Sequence, residues 1–191
     1  MRLAILDHGH RLRTKALLGM IRLVSRKPVV DAVKLAFYRP EFYGGGALTN
    51  EAMRGPSAWS VGERELMAAY VSEVNRCPFC VAAHTATSNL CYGDHATAAA
   101  TLADLETAPI TEPLRATLRL LGKLTREHSV DAEDVRAVLA TGVTAEQLKD
   151  ALAVSLVFNI TDRLANAFDF EVAGPAAMEA GARHLVKRGY G

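Results

Sequence analysis

The residues of this 191-residue chain with the clearest chemistry lie in one segment, Cys77-Pro-Phe-Cys80-Val-Ala-Ala-His84. Cys77 is suited to cap a helix and Pro78 to be its first residue, because proline has no N–H to leave unpaired there. Both cysteines then lie at the positive end of the helix dipole, which favours the nucleophilic thiolate over the thiol. Their spacing also brings the two sulfurs within reach of a disulfide, so that one can react and the other resolve.

A histidine and a glutamate are placed to assist these thiols. His84 follows Cys80 by four residues, which puts it one turn further along the same helix face. There it can accept a thiol proton or hold a water that does so. Glu65 belongs to the preceding helix, whose small residues Ala68 and Ala69 permit a close approach. We expect Glu65 to orient His84 or to carry its proton onward.

Three other interpretations of the pair remain open from the residues alone. Cys77, Cys80 and His84 with Glu65 could bind zinc, whose usual ligands are thiolate, imidazole and carboxylate. The cysteines could instead be buried and inert, although a capping position and Pro78 favour exposure. A thioredoxin-like motif requires a βαβ context, and no strand pattern is present. A redox-active dithiol on a helical scaffold is the interpretation that we favour, with no cofactor and no metal.

Two further features of the sequence bear on the site. Cys91 lies near the C-terminal end of the same helix, where the dipole disfavours a thiolate, and we predict that it is a core residue. A polar stripe in the last long helix contains Asn159, Asp162, Arg163 and Asn166. This stripe could close the pocket behind the dithiol or form a polar network at a subunit contact, and the sequence does not decide between them.

Helical patterns run through the rest of the chain and must position these residues. Ser60 with Glu63, and Thr144 with Gln147, have the spacing of a capping box, in which side chain and backbone pair reciprocally. Asn75 is predicted to close the first of these helices in the left-handed conformation, and Gly93 to close the cysteine-bearing helix. Glycine runs or Gly-Pro pairs interrupt the pattern at residues 44–46, 55–56 and 174–175. We therefore predict an all-α fold of about eight helices.

The composition excludes several classes of protein. The chain has 22 basic and 21 acidic residues and a net charge of +1, which disfavours a general nucleic-acid-binding surface. Three cysteines cannot form a fully paired disulfide framework. No apolar run is long enough to span a membrane, and the first residues lack the pattern of a secretory signal. We expect a cytoplasmic protein with reduced thiols.

The N-terminal part of the chain differs from the rest in charge. Residues 1–27 are predicted to form a basic helical arm, ended by Pro28, and residues 28–191 a single helical domain. A basic amphipathic arm can lie on an anionic membrane. We favour an arm that packs on the body of the protein or on a neighbouring subunit.

The site motif and its surroundings resemble a known family. Glu65 and Cys77-Pro-Phe-Cys80-x-x-x-His84 resemble the alkylhydroperoxidase D-like branch of the carboxymuconolactone decarboxylase family, in particular its peroxidase-related subgroup. The similarity extends through the Gly93 break to the segment 158–166. The resemblance implies an alkylhydroperoxidase-like helical bundle that assembles as a dimer, trimer or hexamer, without haem or metal.

The resemblance also implies residue roles. The peroxide-reacting cysteine corresponds to Cys80, the resolving cysteine to Cys77, and the proton relay to His84 and Glu65. The chain departs from some family members at Phe79, where they carry a second histidine between the cysteines, so a relay through that position is absent. The implied activity is reduction of alkyl hydroperoxides, with a lipoyl-like or thioredoxin-like dithiol as the external reductant.

Two alternative functions use the same cysteine pair. The chain could be a thiol–disulfide oxidoreductase that exchanges disulfides without peroxide. It could also be a redox sensor in which oxidation changes subunit contacts without efficient turnover.

Overall fold

Every regular element is a helix within residues 4–44 and 46–190, the part of the chain that this computed structural model describes. The all-α prediction is confirmed, with twelve helices there in place of about eight. In chain order they are α1 (Ile5–His8), α2 (Leu12–Ser25), α3 (Asp31–Tyr38), α4 (Pro40–Tyr43), α5 (Gly46–Arg54), α6 (Val61–Val74), α7 (Pro78–Tyr92), α8 (Ala96–Ala103), α9 (Glu112–Glu127), α10 (Ala132–Ala140), α11 (Ala145–Ala167) and α12 (Pro175–Arg188).

The additional helices lie mainly before α6, where glycines were expected to mark a turn. Gly46 begins α5, and Gly55 follows its last residue. The helix forms between these breaks because Ala52 and Met53 are buried in the core and so anchor it by tertiary packing. Gly45 of the predicted turn lies outside the described residues.

Capping residues fix the N-terminal ends of α6 and α11, two helices that line the site. Ser60 Oγ accepts a hydrogen bond from the Glu63 N–H at 3.2 Å, and Glu63 accepts one from the Ser60 N–H at 2.8 Å. Thr144 and Gln147 form the same reciprocal arrangement at the start of α11. Both predicted capping boxes are therefore confirmed.

The two predicted left-handed helix ends have different outcomes. Gly93 ends α7 with φ of +72°, as predicted. Asn75 keeps right-handed backbone angles, so that prediction is wrong, and Arg76 adopts the left-handed conformation with φ of +54°. Asn75 remains right-handed because its N–H still donates to the Val71 carbonyl, as in the helix before it.

Two apolar clusters make up the core, with α6 at the centre of the larger one. In that cluster α6 packs against α9 and α11 through Leu66, Met67 and Val71, which have no exposed surface. The second cluster surrounds the cysteines. It brings together residues from both ends of the chain: Leu6, Leu35, Cys77, Phe79, Cys80, Ala165, Phe170 and Met178.

The predicted N-terminal arm consists of two helices with different environments. Leu6 of α1 is buried in the cysteine cluster, whereas α2 has no buried residue. Residues 1–3 lie outside the described part of the chain, and the division of the chain at residue 27 stays a prediction. No helix of the described residues is long and apolar enough to cross a membrane.

The capping box of α6 gives a stability prediction. The Ser60→Ala variant loses the acceptor for the Glu63 N–H, and we expect the free energy of unfolding to fall by about 1 kcal/mol. Denaturant titration followed by circular dichroism measures this change. Ser129→Ala is the matched control, because Ser129 is an exposed serine that caps no helix N-terminus. Equal stabilities of the two variants would contradict the assigned role of the cap.

Candidate active site

A buried hydrogen bond between a glutamate and a histidine joins α6 to α7 at the centre of the candidate site. Glu65 Oε2 lies 2.7 Å from His84 Nδ1, and neither side chain is appreciably exposed. The helices approach closely here because Ala68 and Ala69 of α6 are small and completely buried. Since a carboxylate can only accept, Nδ1 carries a proton and donates it to Glu65, which leaves Nε2 free for proton transfer.

Two residues that the sequence did not indicate complete the environment of Glu65. Arg54 Nη2 donates to Glu65 Oε1 at 2.6 Å, and the Tyr190 hydroxyl donates to the same oxygen at 2.8 Å. Burial raises the pKa of Glu65, but the hydrogen bond and charge of His84, together with Arg54, outweigh it and leave that pKa below its usual value. Glu65 is therefore a buried carboxylate that stays ionised.

Aromatic rings fix the orientation of the His84 imidazole. The Phe158 ring meets it edge-on with centroids 4.4 Å apart, and the Tyr190 ring is stacked on it at 6.2 Å. The Tyr190 hydroxyl also lies 3.3 Å from Nδ1. Burial beside Glu65 raises the pKa of Tyr190 well above its usual value, so its hydroxyl stays a donor. The relay thus has little rotational freedom.

The cysteines occupy the predicted helix positions but are not accessible. Cys77 is the N-cap of α7, Pro78 its first residue and Cys80 its third. Only 1% of each cysteine is exposed, so the expectation that capping positions keep them exposed is wrong. The exposed fraction is the same for both, so the N-cap position does not make Cys77 the more accessible cysteine. The cover consists of apolar side chains from distant segments: Leu6, Leu35, Phe170 and Met178.

Asp162 of α11 lies against the two thiols. One carboxylate oxygen and the two sulfurs all lie within 4.8 Å of one another, and Asp162 is completely buried. The Ser72 hydroxyl donates to this carboxylate at 2.8 Å and the Asn75 amide at 2.9 Å. Glu65 and His84 lie outside this cluster of three.

The polar stripe of α11 therefore faces the dithiol within the chain. Asn159 accepts from the Asn75 amide at 3.3 Å, and Asn166 donates to the Asn75 carbonyl at 3.2 Å. Arg163 of the same stripe is exposed. Of the two roles left open by the sequence, closure behind the dithiol is the one that these contacts support.

The two thiols have different acidities in this environment. A hydrogen bond from Cys80 lowers the pKa of Cys77 below its ordinary value. Donating that bond, together with burial and the nearby Asp162 charge, raises the pKa of Cys80 well above its ordinary value. Burial also raises the pKa of Asp162. The first thiolate to form in the reduced pair is that of Cys77.

Among the described residues, the same cluster is a group of side chains that could hold a metal ion. Cys77, Cys80 and Asp162 offer two thiolates and a carboxylate, which zinc accepts as ligands. The zinc set considered from the sequence used His84 and Glu65 in place of Asp162, but those two residues pair with each other. Structural zinc sites have four ligands, and this cluster contributes three.

Cys91 is exposed, so the prediction that it is a core residue is wrong. It lies near the end of α7, beside Gly62 at the start of α6. Cys91 has no place in the candidate site.

Comparison with known proteins gives structural matches only. The sequence matches no protein-family model and no curated protein. An uncharacterized peroxidase-related protein from Silicibacter sp. TM1040 is 25% identical, with a TM-score of 0.75 over 90% of this chain and 89% of that one. A peroxidase-related protein from Ralstonia eutropha JMP134, named as an alkylhydroperoxidase AhpD core, is 23% identical, with a TM-score of 0.73 over 93% of each chain. The chain therefore shares its helical fold with two solved peroxidase-related proteins, one of which is named as an alkylhydroperoxidase AhpD core.

Proposed function

We propose that this protein is a dithiol peroxidase that reduces alkyl hydroperoxides. The observation that carries the proposal is the dithiol at the start of α7 with the buried Glu65–His84 pair one turn further on. A thiol pair and an oriented acid–base group are the parts that peroxide reduction by cysteine requires. The structural similarity to a peroxidase-related protein supports the same class of reaction.

The first chemical step forms a sulfenic acid at Cys80. The Cys80 thiolate attacks the terminal peroxide oxygen, the O–O bond breaks, and the alkoxide leaves with the electron pair. His84 gives the alkoxide a proton, and Glu65 stabilises the imidazolium before that transfer. The raised pKa of Cys80 explains why this thiol needs a base.

The second step closes a disulfide. The Cys77 thiolate attacks Cys80 sulfur, an S–S bond forms, and the sulfenic oxygen leaves as water after taking up a proton. The lowered pKa of Cys77 suits this role, because more of it is thiolate at neutral pH. An external dithiol, lipoyl-like or thioredoxin-like, then reduces the disulfide.

The cover of the dithiol indicates the kind of peroxide. The cysteines belong to a buried apolar cluster that also contains Leu6, Leu35, Phe170 and Met178. An alkyl group gains free energy from such surroundings in proportion to the apolar area that it buries. We therefore propose an organic hydroperoxide as substrate in preference to hydrogen peroxide.

Single-turnover peroxide consumption by site variants tests the assigned roles. We expect Cys80→Ser to consume no peroxide and Cys77→Ser to react once, leaving a sulfenic acid that a dimedone probe traps at Cys80. His84→Ala and Glu65→Gln lose the relay, and we expect the rate to fall about 10²–10⁴-fold, the usual size of general acid–base effects. Thermal unfolding of each variant checks that the fold is retained.

Three outcomes would contradict parts of this proposal. The lower pKa of Cys77 makes it the alternative reacting cysteine. If Cys77→Ser consumes no peroxide and Cys80→Ser reacts once, the reacting and resolving roles are reversed. Disulfide exchange without peroxide consumption would indicate a thiol–disulfide oxidoreductase. Oxidation of the cysteine pair without repeated turnover in excess dithiol would indicate a redox sensor. One zinc ion per chain that survives mild chelation would replace the redox function by metal binding at Cys77 and Cys80.

We also propose that the protein forms a homo-oligomer. The support is α2, which has no buried residue and exposes apolar side chains at Leu12, Met20, Leu23 and Val24. A helix with this much apolar surface is stabilised when a second surface covers it. Sedimentation at micromolar concentration should therefore give a dimer, trimer or hexamer, and a 20.6 kDa species alone would refute it.

A further inference from the structure

We propose that Asp162 is the proton acceptor of the Cys80 thiol and returns the proton when the disulfide is reduced. This inference rests on the proposed dithiol function and adds a residue to it. Asp162 is the ionisable group packed against both sulfurs, with the interacting atoms of the three residues within 4.8 Å of one another.

The surroundings of Asp162 hold its carboxylate in place. Ser72 of α6 and Asn75, which follows α6, each donate to it, at 2.8 and 2.9 Å. Asp162 has no exposed surface, so no solvent competes for the proton that it exchanges with the thiol. Water-excluded proton transfer between two fixed groups is the situation in which a buried carboxylate acts as a general base.

The other titratable groups of the site are committed elsewhere. His84 of α7 donates through Nδ1 to Glu65 of α6, and both lie outside the cluster of sulfurs and Asp162. Glu65 is in turn neutralised by Arg54 and bonded to the Tyr190 hydroxyl. The geometry therefore gives the two groups different roles. Asp162 exchanges a proton with the Cys80 sulfur, and His84 gives a proton to the peroxide oxygen.

The acidity of Asp162 is consistent with this division. Burial raises its pKa, while hydrogen bonds from Asn75, Cys80 and Ser72 and the charge of His84 lower it by less. A carboxylate with a raised pKa is a stronger base than an exposed aspartate. It therefore takes a thiol proton at a smaller cost in free energy.

The proposed steps balance in both directions. During oxidation the Cys80 proton passes to Asp162, the sulfur electron pair attacks the terminal peroxide oxygen, and the O–O bond breaks. His84 protonates the alkoxide and regains its proton from solvent. The proton lost by Cys77 goes to the sulfenic oxygen, which leaves as water when the disulfide forms. During reduction an external thiolate attacks Cys77 sulfur, the S–S bond breaks, and Cys80 leaves with the electron pair and takes the proton from Asp162. The second thiol of the reductant then displaces Cys77, which completes the reduction.

The test uses the oxidised full-length protein and dithiothreitol, without peroxide. The rate of disulfide reduction is measured from pH 5 to 9 by acid quenching and thiol alkylation, and is divided by the thiolate fraction of dithiothreitol. In the wild type this corrected rate should fall as pH rises and Asp162 loses its proton. Asp162→Asn should lower the rate about 10²-fold on the acid side, at the lower end of general acid effects, and remove the pH dependence.

A control and a second variant keep the test decisive. Asp150→Asn makes the same change on α11 at a carboxylate that accepts from Ser57, away from the cysteines, and should react like wild type. Ser72→Ala removes one hydrogen bond that lowers the pKa of Asp162, so the fall in rate should move to higher pH. This shift is measurable even where Asp162→Asn fails to fold.

Two results would overturn the proposal. If Asp162→Asn reacts as fast as wild type or faster, the carboxylate only repels the thiolate and transfers no proton. An unshifted pH profile in Ser72→Ala would likewise show that the pH dependence of the rate does not come from Asp162. Because no peroxide is used, a wild type that shows the Asp162 profile but consumes no peroxide would refute the peroxidase function alone.

Discussion

The buried Glu65 carboxylate is the constraint on which the site depends. An ion removed from water costs several kcal/mol unless charged and hydrogen-bonded partners replace its hydration. Here the partners come from three other segments: Arg54 from α5, His84 from α7, and Tyr190 from the end of the chain. Displacing any of these segments leaves an uncompensated buried charge. The need to neutralise one side chain therefore fixes the mutual positions of α5, α6, α7 and the segment that contains Tyr190.

The site contains two buried carboxylates whose pKa values move in opposite directions. Glu65 accepts hydrogen bonds from Arg54, Tyr190 and His84, and its pKa is lowered. Asp162 accepts from Ser72 and Asn75 beside the two thiols, and burial raises its pKa. Titratable groups driven apart in this way are suited to different tasks in one reaction. A permanent anion can orient a histidine, and a weakly acidic carboxyl group can exchange a proton.

The sequence predicted the local parts of this arrangement and little of the long-range part. The capping box at Ser60 and the Cys77–Pro78 helix start depend on residues within one turn, and such patterns are visible in any sequence. The wrong prediction of exposed cysteines has a different origin. They are buried in a cluster that includes Leu6 and Met178, which no local pattern connects to residues 77–80.

The same distinction explains what was missed at the site. The hydrogen bond between Tyr190 and Glu65 joins residues 125 apart in sequence, so neither spacing nor periodicity could indicate it. Arg54 lies on a helix that was not predicted, because glycines on both sides suggested a turn. Asp162 was recognised as part of a polar stripe, but its partner surface depends on how α11 packs against α6.

The long separation between Glu65 and Tyr190 has a consequence during synthesis. Chains emerge from the ribosome at about 5–20 residues per second, so an interval of 125 residues corresponds to roughly 6–25 s. Through that interval α6 and α7 exist without the hydroxyl that completes the environment of Glu65, and Met178 does not yet cover the cysteines. The nascent thiols are therefore open to oxidants and to other thiols before the folded protein shields them. The redox state of the dithiol therefore depends on the conditions during synthesis as well as on those around the folded protein.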